Sequence, residues 1–509
     1  MDTVLCGIDR AGRTRPNSLS LAGAAICLAI LVLLAGAGPA SNVAPVDQKP
    51  KSPTLHSFRL RSTSYVGQDG DGARPNVLLL LTDDQRADTI AALGNPAIKT
   101  PAMDSLARRG FVFRNAFCFG SNVPAVCLPS RNMLMSGRAY FRWEGNFAPA
   151  DKPNFPVALK QAGYVTYHHG KRGNSAEHIQ AKFDVSKYLA NDLDREGGEP
   201  GRTIVDEAIE FLKRKQAGGD HRPFFMYLAP PDPHDPRVAA PRYLDMYQRD
   251  RIPLPKNYMP LHPFDNGEMR IRDELLAPWP RTPEEIRRHL HEYYADITGL
   301  DHHVGRLLAA LEGLGLSDDT IVIFSSDNGL AIGSHALMGK QSVYEHSAKV
   351  PLILAGPGIP KGGSDALVYL MDLLPTVCEL VGAPMPADLD GKSLKPIIQG
   401  KAKGVRDTLF CAYREVQRAI RDDRFKLILY PRINKKQLFD LANDPDELHD
   451  LSADPAQAQR IEQMTAKLRE WQRQLGDTTP LTSSVPQDPT FTPPSGEELN
   501  AARKSWQVK

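Results

Sequence analysis

The chain alternates short, unbroken apolar runs with longer amphipathic stretches. Asn76–Leu81 (NVLLLL) is bounded by Pro75 and by the polar Thr82-Asp83-Asp84. A run that short and that continuous predicts a strand buried on both faces, as in a parallel sheet. Tyr164–Tyr167, Phe224–Leu228, Thr320–Ser325 and Pro351–Ala355 repeat the pattern. Helical periodicity lies between them. Pro101–Arg109 predicts a helix with Thr100 as N-cap, Pro101 at its first position and Gly110 closing it. Ile286–Glu312 predicts a long helix with Asp301 and His302 on its polar side. Strands alternating with helices predict an α/β fold, a large mainly parallel or mixed sheet flanked by helices on both faces.

After about residue 400 the strand candidates crowd together: Leu409–Tyr413, Ala419–Arg421, Lys426–Tyr430 and Gln437–Asp440, followed by a helix from Ala456 to Leu475. This predicts a small C-terminal antiparallel α+β subdomain. The expected organisation is a processing segment over 1–40, a Pro/Ser/Gly-rich flexible linker over 41–74 and the main α/β domain over 75–400. The subdomain then covers 401–475 and a tail covers 476–509, either wrapping the body or disordered. No internal repeat is present.

A length of 509 residues suits one large domain plus a smaller one. The 62 basic and 60 acidic residues nearly cancel, so no global field recruits nucleic acid, and none is expected as a partner. Arg10, Arg13 and Arg15 precede an apolar run from Leu19 to Ala35 and small residues through Ala37 and Ala40. That is a secretory signal pattern, which predicts export to the periplasm or beyond. The run is also nearly long enough to span a bilayer, and membrane association is expected only if it is retained as an anchor. Cys6 and Cys27 fall in this segment. Cys118, Cys127, Cys378 and Cys411 are too few for a disulfide framework in so large a body.

Three clusters carry candidate chemistry. Asp83-Asp84 follows one predicted buried strand and Asp327-Asn328-Gly329 follows another. In open α/β sheets, sites form beyond the carboxyl ends of strands. Adjacent carboxylates are costly unless a cation neutralises them, and hard oxygen donors favour Ca²⁺ or Mg²⁺ over zinc. Taken singly, each pair also suits a helix cap or a turn. The third cluster is Cys127-Leu128-Pro129-Ser130-Arg131, with Ser136-Gly137-Arg138 after it.

This third segment resembles the formylglycine signature of the sulfatase family, within the alkaline phosphatase-like superfamily. Leu81–Arg86 (LTDDQR) is similar to that family's first metal motif and Phe324–Gly329 (FSSDNG) to its second. Gly339-Lys340-Gln341, Tyr344-Glu345-His346, Pro351–Pro360 and Leu438–Pro445 also resemble family segments, in order, so the resemblance runs from Pro75 to about Leu451. It implies an alkaline phosphatase-like fold and a sulfuric ester hydrolase acting on a sulfated carbohydrate or another sulfate ester. It also implies a partner maturation enzyme that oxidises Cys127 to the aldehyde formylglycine (3-oxoalanine). A hydrated aldehyde offers two hydroxyls, one to attack sulfur in line and one to let the resulting ester collapse; a plain Ser or Cys would stall.

By matching positions, the resemblance implies that Asp83, Asp84, Asp327 and Asn328, with the modified Cys127, hold a Ca²⁺, with Mg²⁺ also allowed. Asp327 would also orient or deprotonate the attacking hydroxyl, and Arg131 would steady the site. Lys171 and Lys340 would neutralise the transferring sulfuryl group, and His234 would contact sulfate or protonate the leaving oxygen. One position departs from the pattern: many sulfatases carry a His two residues after the first Lys, where this chain has Gly173. His168 and His169 are the nearby substitutes, and His335 and His346 flank the second metal motif within expected reach of substrate. Two other functions stay open: a phosphonate or phosphate monoester hydrolase on the same fold, which can share the formylglycine, and a non-catalytic sulfatase-like binding protein, which Gly173 alone favours.

Overall fold

The computed structural model describes residues 74–190 and 196–507. The processing segment, nearly all of the expected linker, Cys6 and Cys27 lie outside the described residues. Among the described residues no helix is long and apolar enough to cross a membrane.

In chain order the strands are β1 (Asn76–Thr82), β2 (Phe111–Phe117), β3 (Gly120–Ser121), β4 (Val165–Gly170), β5 (Val185–Tyr188), β6 (Phe224–Ala229) and β7 (Thr320–Ser326). They continue with β8 (Lys349–Val350), β9 (Leu352–Ala355), β10 (Gly362–Tyr369), β11 (Leu409–Tyr413), β12 (Gln417–Arg421), β13 (Phe425–Tyr430) and β14 (Lys435–Asp440). The large sheet runs β10-β2-β9-β7-β1-β6-β4-β5, with β8 paired to β2. β1 is central. Its Val77, Leu79 and Leu81 pack into one core and its Leu78 and Leu80 into the other, so neither face admits a polar residue. That is why the run shows no alternation. On the first face lie the helices Cys127–Ser136, Phe155–Gln161 and Leu373–Val381; on the second lie Pro101–Arg109, Arg202–Ala217 and Pro283–Gly313.

The sheet is mixed. β4, β5, β6, β1 and β7 run parallel, but β9 runs antiparallel to both β7 and β2. β2 and β10 escaped the sequence reading because neither is a continuous apolar run. β10 is an edge strand whose first residues, Gly362 and Gly363, are exposed. β2 exposes Arg114, which pairs with Asp365 across the ladder.

The long helix corrects a second expectation. Asp301 is not on a solvated face. It is 1% exposed and accepts from the backbone N–H groups of Ala102 and Met103 at 3.0 and 2.8 Å. Thr100 makes no side-chain cap bond to the helix Pro101–Arg109. Asp301 therefore satisfies the orphan donors of that helix from a distant element. The helix expected from Ala456 spans Ala458–Leu475, after a short 3₁₀ turn at Pro455–Gln457, and the expected tail carries a further helix, Gly496–Gln507.

The second sheet runs β14-β13-β12-β11-β3, antiparallel except where β11 meets β3 in parallel. Because β3 precedes Cys127 by only a few residues, this sheet is joined to the loop entering the Cys127 helix. Residues beyond 476 lie along the body: Asp477 pairs with Arg418, Gln487 N donates to Arg432 O, Asp265 N donates to Pro489 O, and Phe491 packs edge-on against Trp279.

Candidate active site

The register of β1 and β7 places Thr82 beside Ser326, so the residues that leave the two strands meet. Asp327 N donates to Thr82 O at 3.1 Å and Asp84 N donates to the Asp327 carboxylate at 3.1 Å. Asp84 has a φ of 66°, a left-handed conformation to which Asp is better suited than most residues. Its carbonyl accepts from the buried Tyr293 hydroxyl at 2.6 Å, which holds that turn. The neighbouring strand ends supply the rest. β4 leads into Lys171, whose N–H donates to Ala229 O at 3.1 Å, and β6 leads into the loop that carries His234.

Cys127 opens a ten-residue helix in which every residue is buried. Pro129 is tolerated in its first turn, where the N–H has no helical partner to lose. Gly137, at φ 69°, closes it by donating to Met133 O at 2.7 Å. The Cys127 Sγ lies 3.1 Å from Asp83 Oδ1, 3.6 Å from Asp84 Oδ1 and 3.0 Å from Lys340 Nζ. Lys340 also bonds both Asp84 oxygens, at 2.7 and 2.8 Å. Lys171 pairs with Asp83. Arg131, one turn along the helix, donates to Asp327 Oδ2 at 2.7 Å and stands 3.5 Å from Asp83 Oδ2. Ser130 Oγ donates to Asp327 O at 2.6 Å. His234 Nε2 is 3.7 Å from Asp84 Oδ2, and its ring is the most exposed member of the group at 20%.

Asp83, Asp84, Cys127, Arg131, Lys171, His234, Asp327 and Lys340 are therefore brought together, almost entirely out of water. Three carboxylates (Asp83, Asp84, Asp327) face three fixed cations (Arg131, Lys171, Lys340). Burial alone would raise the Asp83 carboxyl, but Lys171 and Arg131, with His234 and Lys340, outweigh it and hold that group well below the usual range. Asp327 is shifted up, by burial and then by Asp83. Burial, Asp327 and Asp83 push the Cys127 thiol well above its ordinary value, which disfavours its thiolate.

The donors fit a hard divalent cation. Ligand atoms of Asp83, Asp84, Cys127 and His234 all lie within 4.8 Å of one another. The Asn328 Nδ2 donates to Asp84 Oδ1 at 2.6 Å, while its Oδ1 is buried with no hydrogen-bond partner among the described residues. A buried amide oxygen without a donor is costly unless a cation takes it. Asp327 stands outside the four, its two oxygens turned to Asp84 N and Arg131 Nε. With three carboxylates balanced by three side-chain cations, a dication would leave a formal excess of positive charge for an anionic substrate.

The four extra histidines do not reach Cys127. His168 lies on the sheet face under the Cys127 helix, with Nδ1 3.2 Å from Ser186 Oγ and its ring among Phe183, Tyr188 and Tyr227. Burial, then His169 and Arg131, hold it well below its usual range, so it is neutral. His169 is on the opposite face, 3.7 Å from Glu207. The strand's two-residue period separates the pair, and neither fills the place of Gly173. His335 and His346 are both buried beside Tyr344, whose hydroxyl donates to Gln437 of β14 at 2.6 Å. Burial lowers His335 to about 4. These two join the sheets rather than line the mouth. Sequence reasoning missed Tyr293 and the segment Arg272-Asp273-Glu274, which enter from distant elements and carry no local motif.

Comparison with known proteins bears on this site. A family model described as Sulfatase matches residues 75–383, and one described as N-sulphoglucosamine sulphohydrolase, C-terminal, matches residues 333–474. An N-acetylglucosamine-6-O-sulfatase of Bacteroides thetaiotaomicron is 27% identical, covering 81% of this chain and 89% of its own. The human N-sulphoglucosamine sulphohydrolase is 30% identical, over 80% of this chain and 91% of its own. A solved structure described as a complex with its substrate D-glucosamine-2-N,6-O-disulfate superposes with a TM-score of 0.68 at 25% identity, covering 80% of this chain and 99% of the other. A phosphonate monoester hydrolase of Agrobacterium radiobacter shares the fold, with a TM-score of 0.66 at 24% identity, over 83% and 100% of the two chains.

Proposed function

The chain belongs to the sulfatase family of sulfuric ester hydrolases, and on that basis we propose that it desulfates a glucosamine-type sugar through an oxidised Cys127. The carrying observation is Cys127 Sγ, buried at the head of a helix and ringed by Asp83, Asp84 and Lys340 within 3.6 Å. The choice of sugar is supported by the relatives, two of which are named for glucosamine sulfates. Export, and encounter with a maturation enzyme that oxidises Cys127, belong to the same reading and rest on the N-terminal pattern and the Cys127–Arg131 motif.

The thiol sulfur marks where a formylglycine oxygen would stand; its hydrate supplies two hydroxyls on one carbon, one to attack sulfur and one to expel sulfate. Asp83, Asp84, Asp327 and Asn328 would hold Ca²⁺, or Mg²⁺, which when bound supplies positive charge for the sulfate oxygens. The other roles belong to the chain's own side chains. Arg131 spans Asp327 and Asp83 and fixes both carboxylates against the helix. Lys340 stands beside both Cys127 and Asp84, placed to neutralise the sulfuryl oxygens, and Lys171 does the same from the Asp83 side. His234 offers Nε2 on the more open side of the group, suited to give a proton to the leaving sugar oxygen. The near-complete burial of these groups excludes water and strengthens each charge interaction.

Peptide mass spectrometry across Cys127, on enzyme made with a maturation partner, should find the aldehyde or its hydrate. The same enzyme should release sulfate from glucosamine sulfates and lose turnover when Cys127 is replaced by Ser. An unmodified thiol in competent host material would refute the mechanism. Preferential cleavage of a phosphonate ester over the matched sulfate would move the substrate class.

A further inference from the structure

We propose that Arg272 is a positioning residue that locks His234 and Lys340 into one fixed geometry through Asp235 and Asp273. This rests on the reading of His234 as the group that protonates the leaving oxygen.

The two residues arrive on separate loops. His234 follows β6, and Lys340 lies in the long connection between β7 and β8. The backbone joins the two loops farther along, at the Tyr258–Ser334 bridge and where His335 N donates to Asn257 O, which leaves side chains to set the spacing beside His234 and Lys340. The 3₁₀ segment Arg272–Leu276 does so. The Arg272 guanidinium bonds both Asp235 oxygens, with Nη1 at 2.9 Å from Oδ1 and Nη2 on Oδ2. The same Nη1 reaches Asp273 Oδ1 at 2.8 Å.

On one side, Asp235 supports His234. The His234 Nδ1 donates to Asp235 O at 2.6 Å, with Asp235 Oδ1 at 3.5 Å. That occupies Nδ1 with one proton, so the proton given to the leaving oxygen is a second one, carried on the Nε2 that faces Asp84 and the reaction centre. On the other side, Asp273 Oδ2 accepts from Gln341 Nε2 at 2.8 Å, and the Gln341 carbonyl oxygen of the side chain accepts from Lys340 N at 3.0 Å. Glu274, next in line, accepts from Met338 N and Gly339 N and pairs with the buried Arg281. Three consecutive residues therefore grip both loops, and Arg272 is the one that bridges them. A bidentate Arg–carboxylate pair fixes distance and angle together, which a Lys would not. Loose support of this kind costs rate through misplacement of the reacting groups rather than through weaker substrate binding.

The test uses matured, full-length enzyme and a pair of substrates, phenyl sulfate and 4-nitrophenyl sulfate. They share a ring and differ in how much the departing oxygen needs a proton. In Arg272→Gln, kcat should fall at least tenfold further on phenyl sulfate than on 4-nitrophenyl sulfate. KM should move less than threefold, and Cys127 oxidation should persist by mass spectrometry. Arg272→Lys should fall between this variant and the parent. Equal loss on both substrates, or no loss, would overturn the proposal, because a merely structural role would not distinguish the leaving groups. His234→Asn is the reference: if it too fails to separate the substrates, the acid role itself is wrong, whereas separation by His234→Asn alone rejects only Arg272. Should Arg272→Gln not fold, Asp235→Asn carries the same comparison, since it keeps the backbone carbonyl under His234 and removes the charge that holds Arg272.

Discussion

Replacing Asp301 by Asn should remove a pH dependence of stability. Asp301 is nearly inaccessible, and burial raises its carboxyl from the ordinary 3.8 to about 7, against the lowering effect of the Ala102 and Met103 N–H bonds. A folded-state value above the unfolded one means the native protein binds the proton more tightly. The associated stability is complete below about pH 4 and is lost as pH rises through about 7. At about 1.36 kcal/mol per pH unit, the gap corresponds to roughly 4 kcal/mol. Asparagine keeps an acceptor for the helix Pro101–Arg109 but cannot ionise. At pH 4 it should cost about 1 kcal/mol, the worth of the one backbone hydrogen bond that its NH2 group cannot accept. At pH 8 the variant should be the more stable protein, by roughly 3 kcal/mol on the same arithmetic. Thermal midpoints of parent and variant, taken from pH 4 to 8 at fixed salt and metal, should cross. A difference that keeps one sign and one size throughout would show that the two N–H bonds hold the carboxylate ionised, and would refute the reasoning.

Arg131→Met should lower stability by about 3–5 kcal/mol, because it strands the Asp327 carboxylate in a fully buried site and leaves Asp83 with Lys171 as its paired cation; chemical denaturation of chelator-treated protein measures it. Ca²⁺ or Mg²⁺ at a hundred times its Kd should raise stability by about 2.7 kcal/mol, a gain that Asp84→Asn should largely remove, as read by calorimetry with and without chelator. Glu345 is held near 2, since Arg421 and Lys426 outweigh the opposing burial, so its contribution is present above about pH 4.5 and lost as pH falls toward 2. Glu345→Gln should therefore cost about 3 kcal/mol at pH 7 and little at pH 2, checked by midpoints across that range.

The central strands and the reactive residues were legible for one reason each. β1 and β7 are buried on both faces, so their composition alone announces them. The Cys127–Arg131 segment and the two acidic pairs carry their chemistry in contiguous residues, which a motif can hold. Edge elements were not legible. β2 and β10 mix apolar with charged positions because solvent and cross-strand partners such as the Arg114–Asp365 pair replace the core on part of each strand.

Sequence alone singled out the residues of the candidate site and placed its two acidic pairs at the ends of buried strands. Only the tertiary structure decided their relations. It turned Asp301 from a solvated position into a helix cap, because a helix 198 residues away presents open N–H groups to it. It removed His168, His169, His335 and His346 from the site, because strand alternation and the packing of the second sheet direct them elsewhere. It also brought Arg272, Asp235 and Asp273 beneath His234 and Lys340. Local patterning records what each residue prefers, burial or solvent, helix or strand. Which distant charge it will meet depends on how loops close over the sheet, and that is set by contacts between segments with no shared periodicity.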